Sequence, residues 1–211
     1  MSVVIASVNR SRITAGAVLA LGLCLLPLCG RATTVIAPDF DTLVKQADYV
    51  VRAVVNSKTA EWRSDAHGRH IITKVKLDVL EIIKGLPPSP LVLEMLGGRI
   101  GSQEMVVDGA PNFIVGEEEI LFIHGNGRQF NPLVSLMYGM YPVSLDSASG
   151  QRFVHRSNGS PLYDVKDIAL PMTAANALGI GAARPLTAAE FAVKVHASLA
   201  QRPNSPAVNA N

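Results

Sequence analysis

Beyond residue 29 the chain has no cysteine, because the only two among its 211 residues, Cys24 and Cys29, lie in an apolar run near the N-terminus. The remainder can form no disulfide and no thiolate metal site, and it has no thiol nucleophile. It also lacks a G-x-S-x-G elbow, the signature of one large hydrolase class. Gly125-x-Gly127 and Gly179-x-Gly181 lack the third glycine and the strand-to-helix context of a dinucleotide loop. No 3.6-residue periodicity occurs between the strand-like segments, which excludes the alternating βαβ pattern of a parallel sheet.

A charge of one sign is missing as well. The formal net charge of +2 depends on Arg10, Arg12 and Arg31; without them 16 basic residues stand against 17 acidic ones. Such a chain has no basic face with which to displace phosphate counterions, so nucleic acid is excluded as a partner. Those arginines flank an apolar run, Ile13 to Leu28, followed by Gly30-Arg31-Ala32. Charged region, apolar region and small-x-small site together predict a signal peptide over 1–32, cleaved after Ala32. Bulky Leu28 before Cys29 argues against lipidation, and the run is short of the ~20 residues that span a bilayer. The expected product is a secreted or periplasmic protein of 179 residues, not held in a membrane after cleavage and large enough for one core without staples.

What is present is strand. From Ile71 to Gly85 the apolar residues Ile71, Val75, Leu77 and Val79 alternate with Ile72, Lys74, Lys76 and Asp78, the period of a strand with one buried face. The phase slips after Val79, which predicts a β-bulge near Val79 and Leu80. A long bent strand can serve two sheets at once, so the other strands are expected to wrap round it as a small barrel. Before it, Asp39 caps a short helix carrying Phe40, Leu43, Val44 and Ala47, and Tyr49–Val55 reads as a strand. Asn56 to His70 is expected to be a polar hairpin loop containing Trp62. After Pro87, Pro88 and Pro90 come Leu91–Leu96, a weaker strand at Glu104–Val107, the continuous apolar run Ile120–Ile123, and a hairpin from Tyr141–Leu145 to Arg152–His155. This gives six to eight strands. Ala169–Pro185 reads as a loose connector. It leads to a helix marked by a Thr187/Glu190 capping box, staple residues Leu186 and Phe191, and a stripe of Phe191, Val195 and Leu199.

Candidate chemistry is sparse. His67 and His70 have the spacing of two metal ligands but no third ligand nearby in sequence, and solvated loop histidines are the alternative. Glu117, Glu118 and Glu119 could pair for acid–base work or calcium, yet three charges after a glycine turn suit a solvated strand entrance. His124, His155 and His196 are isolated. Trp62 is read either as a contact residue or as a lid over the barrel end. No metal, cofactor or catalytic set is assigned.

The order of motifs resembles a known family. Gln46-Ala47-Asp48-Tyr49-Val50-Val51-Arg52-Ala53, then Val75 to Gly85 ending in Ile83-Lys84-Gly85, then Ile114-Val115-Gly116, is similar to the N-terminal domain of tissue inhibitors of metalloproteinases and related netrin-like modules. The likeness spans roughly residues 33–135. The chain also resembles a broad set of exported bacterial proteins sharing the F-x-x-L-V-x-x-A-D opening, here Phe40–Asp48, and the G-E-E-x-x-L-F strand, here Gly116–Phe122. The resemblance implies an OB-like barrel. It also implies that the amine and carbonyl of the first mature residue, Thr33, would chelate a protease's zinc, since Thr33 precedes Asp48 by the family's spacing of 15 positions. An α-amine has a pKa of about 7.7 to 8, so a usable fraction is neutral near pH 7. The family's first residue is a disulfide-anchored cysteine, which this chain lacks.

The expectation is therefore a mainly β protein. It comprises a small OB-like barrel, closed or partly open, over 33–165, preceded within that span by a short helix. A connector and docked helix follow over 166–201, then a polar tail over 202–211. It would act as a non-catalytic binding module. Its contact ridge would be Thr33, Thr34 and Val35 with the Gly97-Gly98 turn, and Trp62 offers a second contact. The partner would be a zinc metallopeptidase or another exported protein. The alternatives are a general interaction domain and, least favoured, a metal-dependent enzyme using His67 and His70.

Overall fold

Asp39 opens the fold by accepting a hydrogen bond from the Thr42 amide at 2.7 Å, which caps helix α1 (Phe40–Gln46). The computed structural model describes residues 36–66, 68–172 and 184–201. The expected signal peptide, Thr33, Thr34, Val35, His67, the connector over 173–183 and the tail over 202–211 lie outside the described residues.

Strand β1 (Tyr49–Asp65) follows at once and turns directly into β2 (Gly68–Lys84), each 17 residues long. The two pair antiparallel from Val50 opposite Lys84 to Asp65 opposite Gly68. This corrects the expected loop at Asn56–His70. Its polar side chains are paired across two strands, and Trp62, opposite Ile71, sits half-buried in β1. Three residues interrupt the register. Asn56 is extra in β1, while Leu80 and Ile83 are extra in β2, so the bulge expected near Val79 and Leu80 is present with a second beside it.

The remaining strands are β3 (Leu91–Leu96), β4 (Gly98–Ile100), β5 (Gln103–Met105), β6 (Glu118–Ile123), β7 (Met140–Leu145) and β8 (Arg152–Val154). Six form one antiparallel sheet in the order β3-β2-β1-β6-β7-β8, and β4 and β5 form a separate hairpin. No pairing joins the edges β3 and β8 among the described residues, so the sheet is open.

Both faces of the sheet are buried, which explains the unbroken apolar runs. On one face Val50, Ile120, Phe122, Tyr141 and Val154 pack under α1 and helix α2 (Ala188–Ala200). There the Phe191 ring lies 5.2 Å from Tyr141 and 6.0 Å from Phe122. On the other face Val51, Ala53, Val55, Leu121 and Ile123 pack with Leu77, Leu91 and Leu93. Helix α2 has its capping box: Thr187 Oγ1 accepts from the Glu190 amide at 3.2 Å and Glu190 Oε2 from the Thr187 amide at 2.9 Å. The apolar stripe stops short of Leu199, which is exposed, while buried Ser198 donates to Asp41 on α1. Val79, expected on the buried side, is also partly exposed, because β3 ends opposite Leu77.

The helix, β1 and the end of β2 meet in one joint. Lys84 Nζ donates to the carbonyls of Val44 and Ala47 at 2.7 and 2.5 Å, satisfying carbonyls at the end of α1. Gly85 follows at φ +72°, where an added Cβ would lie 2.4 Å from the Asp48 carbonyl oxygen. Gly85→Ala is therefore expected to destabilise by about 3–5 kcal/mol, combining left-handed strain with a backbone clash. Gly150→Ala, at φ +68° in open space, should cost only about 1–2 kcal/mol. Urea midpoints of the two variants compare them directly, and equal losses would refute the close-approach account.

Candidate functional site

The outer part of the β1–β2 hairpin forms an arm whose two faces differ. Lys58, Ala60 and Trp62 lie opposite Val75, Thr73 and Ile71 on one face. Strand β3 and the β4–β5 hairpin bound a cleft of about 490 Å³ against this face, lined by Lys58, Thr73, Met95, Arg99, Glu104 and Phe113 among others. Lys58 donates to the Phe113 carbonyl, holding the strap after β5 against the arm. Trp62 sits one step further out with the Arg69 guanidinium 4.2 Å from its ring centre, a cation–π contact.

The opposite face of the arm carries charge. Arg63 grips Glu94 of β3 with two hydrogen bonds, at 2.6 and 2.7 Å, and reaches Glu61 at 3.2 Å. Lys74 also reaches Glu61, at 2.9 Å. Arg63 holds the Glu94 carboxyl below the usual carboxylate range, and Lys74 followed by Arg63 does the same for Glu61. A planar guanidinium on a carboxylate fixes orientation as well as charge, so the network stiffens the arm.

Gly97 and Gly98 stand in the cleft wall. A Cβ on Gly98 would lie 2.2 Å from Thr73 Oγ1, and one on Gly97 would lie 2.8 Å from the Met105 carbonyl oxygen. Thr73 Oγ1 donates to the Gly97 carbonyl at 2.7 Å. The glycines let the chain leave β3 and cross tightly over β2 into β4.

The histidines among the described residues do not converge. His70 Nε2 lies 3.5 Å from Asp65 Oδ2, and its ring meets Phe130 at 5.5 Å. Among the described residues no three His, Cys, Asp or Glu side chains gather as metal ligands. His124 lies 3.2 Å from Asp48, which also accepts from the Gly125 amide at 2.8 Å and Arg128 at 3.0 Å. The Gly125 amide is the main reason that the Asp48 carboxyl is held below its ordinary range. His196 is exposed on α2. Sequence reasoning missed one pair: Ser144 Oγ lies 2.7 Å from His155 Nε2, and His155 Nδ1 lies 3.3 Å from the Gly159 carbonyl oxygen. The only signal was two residues on facing strands of a predicted hairpin. The pair has the hydrogen-bond order of a nucleophile, a base and an orienting acceptor, but it stands on the outer hairpin and lines none of the clefts described here.

The chain matches no protein-family model and no curated protein.

The three glutamates divide, which corrects the reading of a solvated strand entrance. Strand alternation sends neighbours to opposite faces. Glu117 is exposed, whereas Glu118 accepts from Arg52 Nη1 at 2.8 Å and from Arg152 Nε at 3.0 Å. Arg52 also reaches Glu81 at 3.0 Å, so it ties β1 to both of its neighbours. Glu119, opposite Ala53 and Pro142, is 0% exposed, and among the described residues neither carboxylate oxygen has a partner. Burial, then the nearby Glu117 charge, pushes its pKa up to about 8 from 4.5.

Folded Glu119 keeps its proton where the unfolded chain has already released it. Stability therefore falls as pH rises from about 4.5 to about 8 and is flat with respect to this group outside that window. Glu119→Gln is expected to remove that decline. Urea titrations of both proteins between pH 5 and pH 9 measure it as the difference between the two curves, and parallel curves would show that the carboxyl is not buried unpaired.

Proposed function

We propose that this chain is an exported, non-catalytic binding module of OB-like architecture that meets a protein partner at the arm end of its sheet. The observation that carries the reading is the arm itself. Strands β1 and β2 extend beyond the core, one face is stiffened by the Arg63–Glu94 grip, and the other opens as a cleft beside Trp62. Such a construction presents a rigid, mixed apolar and charged surface, as recognition sites do. The pairing of one central strand, β1, with both β2 and β6 supports the OB-like description.

The partner class is a zinc metallopeptidase, to which the Gln46–Ala53 and Ile83–Gly85 motifs point. The structural roles of Asp48, Arg52, Lys84 and Gly85 support a family likeness in the scaffold. Chelation would come from the amine and carbonyl of Thr33, with the Gly97-Gly98 wall and Trp62 as flanking contacts. Without a disulfide the terminus must order on binding, at a cost of about 1–2 kcal/mol per residue, so inhibition is weaker than an anchored terminus gives.

A zinc metallopeptidase titrated with protein beginning at Thr33, beside protein carrying one added alanine in front, tests this. Inhibition by the first and not the second is expected. Equal inhibition would exclude the terminal amine. Inhibition by neither would leave the second reading, a general interaction domain that uses the Trp62 face. The non-catalytic reading also predicts that a fluorophosphonate leaves Ser144 unlabelled, and a Ser144 adduct detected by mass spectrometry would overturn it.

A further inference from the structure

Past Leu77, strand β2 is paired along one edge only. Strand β2 stays paired with β1 as far as Lys84 opposite Val50, whereas its pairing with β3 stops at Leu77 opposite Leu91. Residues 78–84 are thus a second edge of the sheet. Among the described residues no backbone hydrogen bond joins them to any element except β1.

The chain leaving β2 returns beside this edge without closing it. A groove of about 710 Å³ separates residues 76–82 from Pro87–Leu91. Pro87, Pro88 and Pro90 have no N–H and cannot complete a ladder. Proteins ordinarily blunt an open edge with charge, but this one presents aliphatic residues. Val79, Leu80 and Ile82 are 37%, 51% and 54% exposed, and Leu86 is 92% exposed. The bulges at Leu80 and Ile83 bend the edge, which favours one short added strand over indefinite stacking.

Charge selects the occupant. Glu81 is neutralised by Arg52 at 3.0 Å. Asp78 accepts only from the neutral amide of Asn56, at 2.6 Å, and enters no ion pair among the described residues. A second copy of the chain fits poorly. The antiparallel register that sets Asp78 against Lys84 puts Glu81 against Glu81 on the two-fold axis, and Lys84 Nζ is already bonded to the Val44 and Ala47 carbonyls. We propose that Asp78–Lys84 is a docking edge for an extended, apolar segment of a partner protein with a basic residue facing Asp78. Backbone pairing supplies affinity there, and Val79, Leu80, Ile82 and Leu86 select apolar side chains. This surface is separate from the arm-end cleft and stands independently of the metallopeptidase reading.

The probe is a blocked heptapeptide alternating valine with serine, carrying one lysine, titrated into the full chain. Amide exchange followed by NMR should show protection rising within 78–84 as peptide is added. Replacing the central valine of the peptide by proline should weaken binding by about tenfold or more, as should Ile82→Lys in the protein. Asp78→Asn should weaken the lysine peptide but not its glutamine counterpart. Leu80→Lys, at a second exposed site, should reproduce the Ile82→Lys effect, with circular dichroism checking that both variants fold. Three outcomes would overturn the proposal: no change in protection, binding indifferent to both lysine variants, or protection of 78–84 that appears without peptide as protein concentration rises, which would make a second copy the occupant.

Discussion

Everything in this fold is referred to the pairing of β1 with β2. Two strands of 17 residues in one antiparallel ladder fix a far longer axis than any other strand occupies, and the bulges at Asn56, Leu80 and Ile83 set where that ladder bends. Strand alternation lets a single strand, β1, serve two cores. Val50 packs beneath the helices while Val51, Ala53 and Val55 pack on the opposite face. Because β6 pairs with β1 over the same stretch, it inherits both burials. That is why Ile120, Leu121, Phe122 and Ile123 can all be apolar without a period.

The motif residues hold this ladder to its surroundings. Arg52 links β1 to β2 through Glu81 and to β6 through Glu118. Lys84 and Gly85 bring the end of β2 against the last turn of α1, and Asp48 fastens the start of β1 to the Gly125 turn. These four side chains have scaffold tasks that require their chemistry: a fork, a long donor, a missing Cβ and a carboxylate acceptor. Glu119 is the exception. It carries a desolvation cost beside the apolar run Ile120–Ile123, and among the described residues no hydrogen-bond partner offsets it.

What could be read from sequence was whatever is decided locally. The α1 cap at Asp39, the Thr187/Glu190 capping box, the proline stop after β2 and the bulge at Leu80 each depend on a few adjacent residues, and each was legible. The hairpin arm was not. Glu61 and Arg63 look like loop composition, and only the cross-strand register shows that they, Lys74 and Glu94 neutralise one another. Glu119 was misread for the same reason, since a run of three acids says nothing about which of them faces a core. The Ser144–His155 pair likewise depends on how two strands align, not on the spacing between the residues.

The short length of β3 locates the surfaces left over for recognition. With both sheet faces covered, open polar backbone appears where a long strand outruns its neighbour, and six residues of β3 stand against 17 of β2. At one end, beyond Ile72 opposite Leu96, the Gly97-Gly98 crossing throws the β4–β5 hairpin over the arm and makes a cleft. At the other end, beyond Leu77 opposite Leu91, three prolines return beside β2 and make a groove with an unpaired edge. The glycines allow close approach, so the first end is roofed; the prolines cannot donate, so the second stays open. The two ends therefore differ in what they can accept. A roofed cleft discriminates by shape and by the side chains that line it, whereas an open edge asks first for an extended backbone and only then for the side chains it carries.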